Sequence, residues 1–146
     1  MKLKIIWIGK TKEPAIQSLT AEYLKRIAYY AQAESLSLGS EAALLRMIEK
    51  ARPQVELILL DSRGQHFSSE EFAKFLDKRQ TSGDARPLLF AIGPADGFSA
   101  KVTKKAAGLL SLSKMTLPHE LARVVLLEQI YRALSILKGH PYHSGH

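Results

Sequence analysis

The C-terminal segment of the chain combines side chains that handle protons with one that can stack on a nucleic acid base. Residues 139–146 read Gly-His-Pro-Tyr-His-Ser-Gly-His and hold three of the five histidines. Histidine and tyrosine are candidate proton acceptors or hydrogen-bond donors near neutral pH. Pro141 restricts the chain beside an aromatic ring suited to stacking. A metal site at His140, His143 and His146 is disfavoured because no carboxylate accompanies them, and a frayed terminus is the alternative.

Two loops that precede this tail have the composition of a ligand-binding site. Residues 112–120 join a predicted strand to a predicted helix, yet they carry apolar side chains at Leu112, Met115 and Leu117. Such a loop either packs inside the protein or surrounds an apolar ligand, to whose polar edges its main-chain groups can bond. Gly93 ends a buried strand and lets a ligand approach the backbone closely. The residues around it match neither the dinucleotide-binding motif nor the P-loop.

The elements that must position these residues alternate between strand and helix. Strands are predicted at residues 2–9, 34–38, 55–61, 87–93 and 109–112, and helices at 14–30, 40–51, 68–80, 99–108 and 118–138. Ser40, Ser99 and a Ser68–Glu71 capping box are predicted to begin helices, and residues 62–64 are predicted to form a turn. The alternation predicts one α/β domain, residues 1–146, with a mostly parallel sheet of five to six strands.

Composition narrows the classes of protein that this chain can be. A hydrophobic content of 46% and a charged content of 24% are typical of a folded globular protein. The absence of cysteine excludes disulfides and cysteine-based zinc sites. No apolar run is long enough to cross a membrane, so we expect a soluble, cytoplasmic protein. The net charge of +7 is concentrated in residues 99–146, which hold seven basic and two acidic side chains; this excess favours a phosphate polymer as partner.

The final predicted helix is apolar around most of its circumference. A helix of this kind must be buried on more than one side. In so short a chain the second covering surface is expected to be another subunit, which predicts a homodimer. The alternative is a central helix packed between the sheet and other parts of the same chain.

Several segments, taken in order, resemble the ribosomal large subunit methyltransferase H family, the 23S rRNA pseudouridine-N3 methyltransferases of the SPOUT class. The N-terminal strand ending at Gly9-Lys10 and the segment Leu59-Leu60-Asp61 match the family, so the resemblance spans essentially the whole chain. The most specific matches begin at the strand before Gly93 and continue to the tail: Phe90–Gly93, Asp96–Ser99, Leu112–His119, Arg123–Ala133 and His140–His143.

The resemblance implies a fold, a cofactor and a set of site residues. It implies a deep C-terminal trefoil knot, which is rare among proteins, and a homodimer whose active site is shared across the interface. It implies S-adenosylmethionine as cofactor, no metal, and 23S rRNA on the ribosome as substrate. Tyr142 and His143 match the positions expected to orient the substrate or handle its proton. The residues expected to contact the cofactor are Leu60, Gly93, Leu112, Ser113, Lys114, Met115, Thr116 and Leu117.

Two departures from the family pattern keep other functions open. Pro94 stands where the family usually has a second glycine, and proline offers no N–H to a ligand. Ser144-Gly145-His146 stands where the family usually places a basic residue after the tyrosine–histidine pair. The alternatives are a SPOUT methyltransferase that acts on another RNA such as tRNA, and a non-catalytic RNA-binding relative.

Overall fold

In the computed structural model, which describes residues 1–94 and 96–144, five parallel strands form one sheet in the order β2-β1-β4-β3-β5. The strands are β1 (Lys2–Ile8), β2 (Gln32–Leu38), β3 (Glu56–His66), β4 (Leu88–Ile92) and β5 (Gly108–Ser111). The helices are α1 (Pro14–Ala28), α2 (Glu41–Lys50), α3 (Ser69–Thr81), α4 (Ala100–Thr103) and α5 (His119–Leu137). The predicted α/β class and parallel sheet are confirmed, whereas the trefoil knot stays a prediction.

Alternation of side chains along the strands divides the core between the two faces of the sheet. On one face Leu3 and Phe90 are fully buried beneath α1, α3 and α5. On the other face Ile6 and Leu59 are buried beneath α2 and α4. Because both faces are covered, the central strand β4 is buried at every position, as is expected of a parallel sheet.

Strand β3 differs from the prediction. Residues 62–64 were expected to form a turn, but the strand continues to His66, with a shift in its pairing to β5 between Leu60 and Gln65. The prediction was wrong because Gly64 serves a close approach between strands instead of a turn. A Cβ atom at Gly64 would lie 2.6 Å from the carbonyl carbon of Leu109 and 2.6 Å from the amide nitrogen of Leu110. The missing side chain is what allows β5 to lie there.

Two of the three predicted helix caps are confirmed. The Ser40 side chain accepts from the Ala43 amide, and Ser68 and Glu71 form the reciprocal capping box. At the third, α4 begins directly after Ser99 as predicted, but the Ser99 side chain makes no capping hydrogen bond, and α4 ends at Thr103 instead of continuing to about 108. The chain leaves the helix because the Ala107 amide donates to the Leu57 carbonyl at 2.8 Å, which brings it into strand β5.

Helix α5 lies between α1 and α3 and also contacts β4. These neighbours account for much of its apolar surface, as expected for a helix placed centrally within one chain. Leu121 nevertheless remains 41% exposed, and Leu19 of α1 is 43% exposed. The homodimer therefore stays a prediction. No helix within the described residues has the length and apolar character needed to cross a membrane.

Candidate cofactor cavity and C-terminal tail

A cavity of about 890 Å³ opens at the carboxyl ends of β4 and β5, beside the middle of β3. Three segments form it, contributing residues 60–63 of β3, residues 92–94 with 96–98, and residues 110–119, and Ala122 of α5 completes the wall. Crevices at this edge of a parallel sheet are where α/β folds bind ligands. All eight residues expected to contact the cofactor lie on its wall: Leu60, Gly93, Leu112, Ser113, Lys114, Met115, Thr116 and Leu117.

Gly93 and the ring of Phe98 form a tightly packed part of this wall. A Cβ atom at Gly93 would lie 3.0 Å from the Phe98 ring, so a larger residue would push the ring from its place. Pro94 also lines the cavity, and its carbonyl accepts from the Gly97 amide at 2.9 Å in a tight turn. Because proline lacks an amide hydrogen, the Pro94 main chain offers a ligand no donor.

The loop that connects β5 to α5, residues 112–118, presents both apolar surface and free main-chain donors. Its first turn is held by the Ser111 hydroxyl, which donates to the Ser113 carbonyl at 3.0 Å, and by the Met115 amide, which donates to the Ser113 hydroxyl at 2.9 Å. Within the described part of the chain, the amides of Lys114, Thr116 and Leu117 donate to no protein acceptor. These amides are available to a bound molecule.

A charged pair at the cavity wall was not anticipated from the sequence. The Arg63 guanidinium lies 2.8 Å from the Asp61 carboxylate, and the Arg63 amide donates to the same carboxylate at 2.8 Å. Hydrogen bonds from the Arg63 side chain lower the pKa of Asp61, although burial opposes this. Asp61 is therefore ionised at neutral pH. The signal available in the sequence was the spacing Asp-x-Arg that begins at the last residue of the predicted buried strand, 55–61.

The first turn of α5 is fastened to the loop that connects β1 to α1. The Glu120 carboxylate accepts from the amides of Lys12 and Glu13, and these amides lower its pKa. One turn later, the Arg123 guanidinium donates to the Thr11 hydroxyl at 2.6 Å and to the carbonyls of Ile8 and Gly9 at 3.3 Å. Because residues 112–118 lead directly into this turn, these bonds also fix one end of the cavity wall.

Arg123 is only 1% exposed, although no carboxylate within the described residues lies in ion-pair contact with it. Its guanidinium instead lies 5.1 Å from the centre of the Trp7 ring, and burial lowers its pKa. Sequence reasoning missed this residue, because nothing in a helical apolar pattern distinguishes a buried arginine from an exposed one.

Replacement of Arg123 by methionine is expected to lower the free energy of unfolding by about 2 kcal/mol. Removing a buried charge recovers its desolvation cost, but the Ile8 and Gly9 carbonyls and the Thr11 hydroxyl lose a charged donor. Urea denaturation measures the change. Arg46→Met on the exposed side of α2 is the matched control and should change stability by less than about 0.5 kcal/mol. Equal stability of the two variants would contradict the role given to Arg123.

The tail residues Tyr142 and His143 lie against the C-terminal half of α5. The Tyr142 ring packs edge-on to Tyr131 with centroids 4.7 Å apart, and the Arg132 guanidinium lies 5.0 Å from its centre. The Tyr142 and Tyr23 hydroxyl oxygens are 3.5 Å apart. Burial and then the hydrogen bond with Tyr23 raise the pKa of Tyr142, so this hydroxyl keeps its proton at neutral pH.

His143 bridges two helices. Its Nδ1 lies 3.3 Å from Arg132 Nη1, and its Nε2 lies 2.8 Å from the Glu70 carboxylate. Because arginine can only donate, Nδ1 is the acceptor and the Nε2–H donates to Glu70. Arg132 also forms an ion pair with Glu128. The i, i+4 spacing of Glu128 and Arg132 is the signal in the sequence that could have identified this ion pair.

The described tail residues, 139–144, are not part of the cavity wall. Tyr142 contacts α5 at Tyr131, nine residues after Ala122, the last residue of α5 at the cavity, which corresponds to roughly 14 Å along a helix. Gly145 and His146, named in the metal alternative and in the departure from the family ending, lie outside the described residues. Among the residues described, no group of three or more histidine, cysteine or acidic side chains is arranged to hold a metal.

Comparison with known proteins connects this arrangement to a family. A family profile described as predicted SPOUT methyltransferase matches residues 1–143. The chain is 55% identical over 147 residues to the ribosomal RNA large subunit methyltransferase H of Koribacter versatilis strain Ellin345, covering 100% of both chains. It is 41% identical over 153 residues to the protein of the same name from Trichlorobacter lovleyi, covering 98% of this chain and 99% of that protein.

A solved structure supports the fold. The SpoU methyltransferase AviRb from Streptomyces viridochromogenes, in complex with the cofactor AdoMet, matches with a TM-score of 0.55. The match covers 90% of this chain and 57% of the AviRb chain, with 15% sequence identity. At that identity the likeness concerns the fold alone.

Proposed function

This chain belongs to the predicted SPOUT methyltransferase family, and we propose that it methylates large-subunit ribosomal RNA with S-adenosylmethionine as methyl donor. The observation that carries the proposal is the cavity at the carboxyl edge of the sheet, whose wall includes every residue that the family motif assigns to the cofactor. Full-length relatives are named ribosomal RNA large subunit methyltransferase H, and the structurally similar AviRb was solved with AdoMet. The finer assignment, N3 of a pseudouridine in 23S rRNA, rests on the resemblance in sequence.

The cavity has the size and chemistry that S-adenosylmethionine requires. Its volume of about 890 Å³ lies within the roughly 300–1,000 Å³ of small-molecule sites. Leu60, Leu112 and Leu117 supply apolar surface for the adenine ring, and the free amides of the loop can bond to its polar edge. Asp61 and Arg63 offer opposite charges to an amino-acid group. When bound, the cofactor supplies an electrophilic methyl group on a positively charged sulfur.

We assign the handling of the substrate to the tail. N3 of the base forms a bond to the methyl carbon, the carbon–sulfur bond breaks, and the N3 proton must leave. Tyr142 keeps its own proton at neutral pH and therefore orients the base by donating a hydrogen bond. His143 is the candidate proton acceptor at Nδ1, which requires its hydrogen bond with Arg132 to open.

The proposal includes a homodimer in which the tail of one subunit serves the cavity of a second copy. Within one chain the tail packs on α5 roughly 14 Å along the helix from Ala122 at the cavity, which is too far for both to contact one methyl group. The exposed leucines on α1 and α5, Leu19 and Leu121, are available to an interface. A ribosomal substrate makes the cytoplasm the proposed location.

The function is tested by following labelled methyl groups from S-adenosylmethionine into assembled ribosomes and into free 23S rRNA, followed by mapping of the modified base. We expect transfer to ribosomes at a rate at least about tenfold above free rRNA, because the ribosome presents the target already positioned. Absence of transfer to either substrate would overturn the proposal. Methyl transfer to tRNA in place of rRNA would support the proposed cofactor but contradict the proposed substrate.

A non-catalytic RNA-binding relative is the second candidate, and Pro94 is the observation that favours it. Its ring removes a main-chain donor from the cavity wall, where the family usually has glycine. Calorimetric titration with S-adenosylmethionine separates the two candidates. A methyltransferase releases or absorbs heat at a defined stoichiometry, whereas a pure RNA-binding protein shows no binding heat. The variant Pro94→Gly should then bind the cofactor more tightly than the natural chain if the missing amide matters.

A further inference from the structure

We propose that the α2/α4 side of the molecule is the surface that docks on ribosomal RNA. This inference rests on the proposed function and names where its substrate binds. The surface, here called the basic face, is defined by six exposed cations on α2, on α4 and in the segments that follow them: Arg46, Lys50, Arg52, Lys101, Lys104 and Lys105.

The six cations belong to one surface because their elements are packed together. Leu44 of α2 and Val102 of α4 are fully buried in the same core cluster beneath the sheet. The amide of Ser99, directly before α4, donates to the Glu41 carboxylate at the start of α2 at 2.7 Å. The two groups of cations are therefore carried by adjacent elements on one side of the sheet.

The charge of the basic face is not neutralised within the chain. Residues 41–52 and 96–105 hold these six cations and three carboxylates, Glu41, Glu49 and Asp96. No ion pair within the described residues involves any of the six. On the opposite side of the sheet, α1, α3 and α5 carry seven cations against six carboxylates, and Arg26, Arg79 and Arg132 are paired.

The position of the basic face matches an RNA whose target base enters the cavity. Gly97 and Phe98 line the cavity, and α4 begins two residues later at Ala100. The cations at Lys101, Lys104 and Lys105 therefore follow directly from the cavity wall. Phosphates that flank a base in the cavity would meet these side chains, and neutralising them releases counterions.

An anionic membrane is less consistent with this surface than RNA is. Membrane-surface helices present large apolar side chains beside their cations. The apolar residues of α2, Leu44, Leu45 and Ile48, pack into the core beneath the sheet, and the exposed neighbours of the cations include the small residues Ala42 and Ala100. A surface of cations without an apolar stripe fits a phosphate polymer.

The test compares two triple variants that remove the same charge from opposite sides of the sheet. K101A/K104A/K105A alters the basic face, and K25A/K74A/K78A alters exposed, unpaired lysines on α1 and α3. Binding to purified large ribosomal subunits is measured between 50 and 200 mM salt, together with methyl transfer and calorimetric S-adenosylmethionine binding. The second basic-face variant R46A/K50A tests whether α2 takes part.

We expect K101A/K104A/K105A to weaken ribosome binding about tenfold or more at 0.1 M salt and to reduce the slope of log affinity against log salt by about 2 to 3. R46A/K50A should reduce the slope by about 1 to 2. The expected change in methyl transfer is a raised KM for ribosomes with kcat retained. The control triple should bind within about twofold of the natural chain, and cofactor affinity should be unchanged in all variants.

Equal effects of the two triples would overturn the inference, because bulk charge would then explain binding. Tighter binding of the natural chain to anionic phosphatidylserine vesicles than to ribosomes would overturn it as well. Failure of the proposed function is a separate outcome. In that case the natural chain transfers no methyl group, while the difference in salt slope between the triples still reports on the surface.

Discussion

Gly64→Ala is expected to abolish S-adenosylmethionine binding and to lower the free energy of unfolding by about 3 kcal/mol, an effect in the range of severe overpacking. The added Cβ would lie 2.6 Å from main-chain atoms of Leu109 and Leu110 and 2.7 Å from the Leu109 carbonyl oxygen. Main-chain atoms of a paired strand have no rotamer with which to move aside. Strand β5 must therefore shift away from β3.

The shift would reach the cavity directly. Residues 110–119, which continue from β5, form a large part of its wall, and Leu60 to Arg63 on β3 form another. Separating the two strands displaces these walls relative to each other, and misplacement by about 1 Å is costly for a positioned ligand. Loss of cofactor binding should therefore be observed even at temperatures where the variant remains folded.

Gly39→Ala is the matched control for this substitution. A Cβ atom at Gly39 would meet nothing within 4 Å, and its backbone dihedral is not in the left-handed region. The same change there should leave cofactor affinity unaltered and stabilise the fold slightly, because alanine restricts the unfolded chain. Urea denaturation and calorimetric titration measure both variants. Cofactor binding by Gly64→Ala with natural affinity would contradict the importance of the β3–β5 contact.

Most helices and strands could be predicted from the sequence, because at those positions the local residue pattern agrees with the final packing. The run of apolar residues at 87–93 predicted a strand covered on both faces, and β4 is buried throughout. Ser40 and the Ser68–Glu71 pair predicted helix starts because their side chains satisfy amides within the next turn. These interactions involve residues three positions apart and need no tertiary context.

Predictions failed where a distant part of the chain decides the local conformation. Ser62-Arg63-Gly64 has the composition of a turn, but pairing with β5 extends the strand through it. Residues 104–108 were predicted to be helical, yet the Ala107 amide bonds to Leu57 in the sheet. The order β2-β1-β4-β3-β5 also has no signature in any single segment.

The candidate site divides in the same way. Its cofactor part could be predicted because Gly93 and residues 112–117 follow strands whose ends meet at one edge of a parallel sheet, and the family resemblance added Leu60. The i, i+4 spacing indicates the pair of Arg132 with Glu128, but not the contact of Arg132 with the tail. The contacts of Arg123 could not be predicted, since its partners lie more than 110 residues away. The position of the tail relative to the cavity likewise depends on packing against α1 and α3.

The shared site predicts that two inactive variants restore each other. Tyr142→Phe and His143→Ala should each lower the rate of methyl transfer on ribosomes about 100-fold with cofactor affinity unchanged, because they remove a hydrogen-bond donor or a proton acceptor. Their combination is a tail-deficient subunit. Gly93→Leu is a cavity-deficient subunit, since its side chain occupies the wall where even a Cβ atom approaches Phe98 to 3.0 Å.

When equal amounts of the two subunits are mixed at random, half of the dimers are heterodimers. Each heterodimer has one complete site if the tail of one subunit serves the cavity of the other. Methyl transfer should then recover to about a quarter of the natural rate. A site completed within one chain would give no recovery, because neither subunit carries both parts. Gly93→Leu taken alone through the same treatment is the control, because any activity it shows does not come from heterodimers. If Tyr142→Phe and His143→Ala both keep the natural rate of methyl transfer, the tail takes no part in the reaction. If stable heterodimers form but are inactive, the tail serves the cavity of its own subunit and must leave α5 to do so.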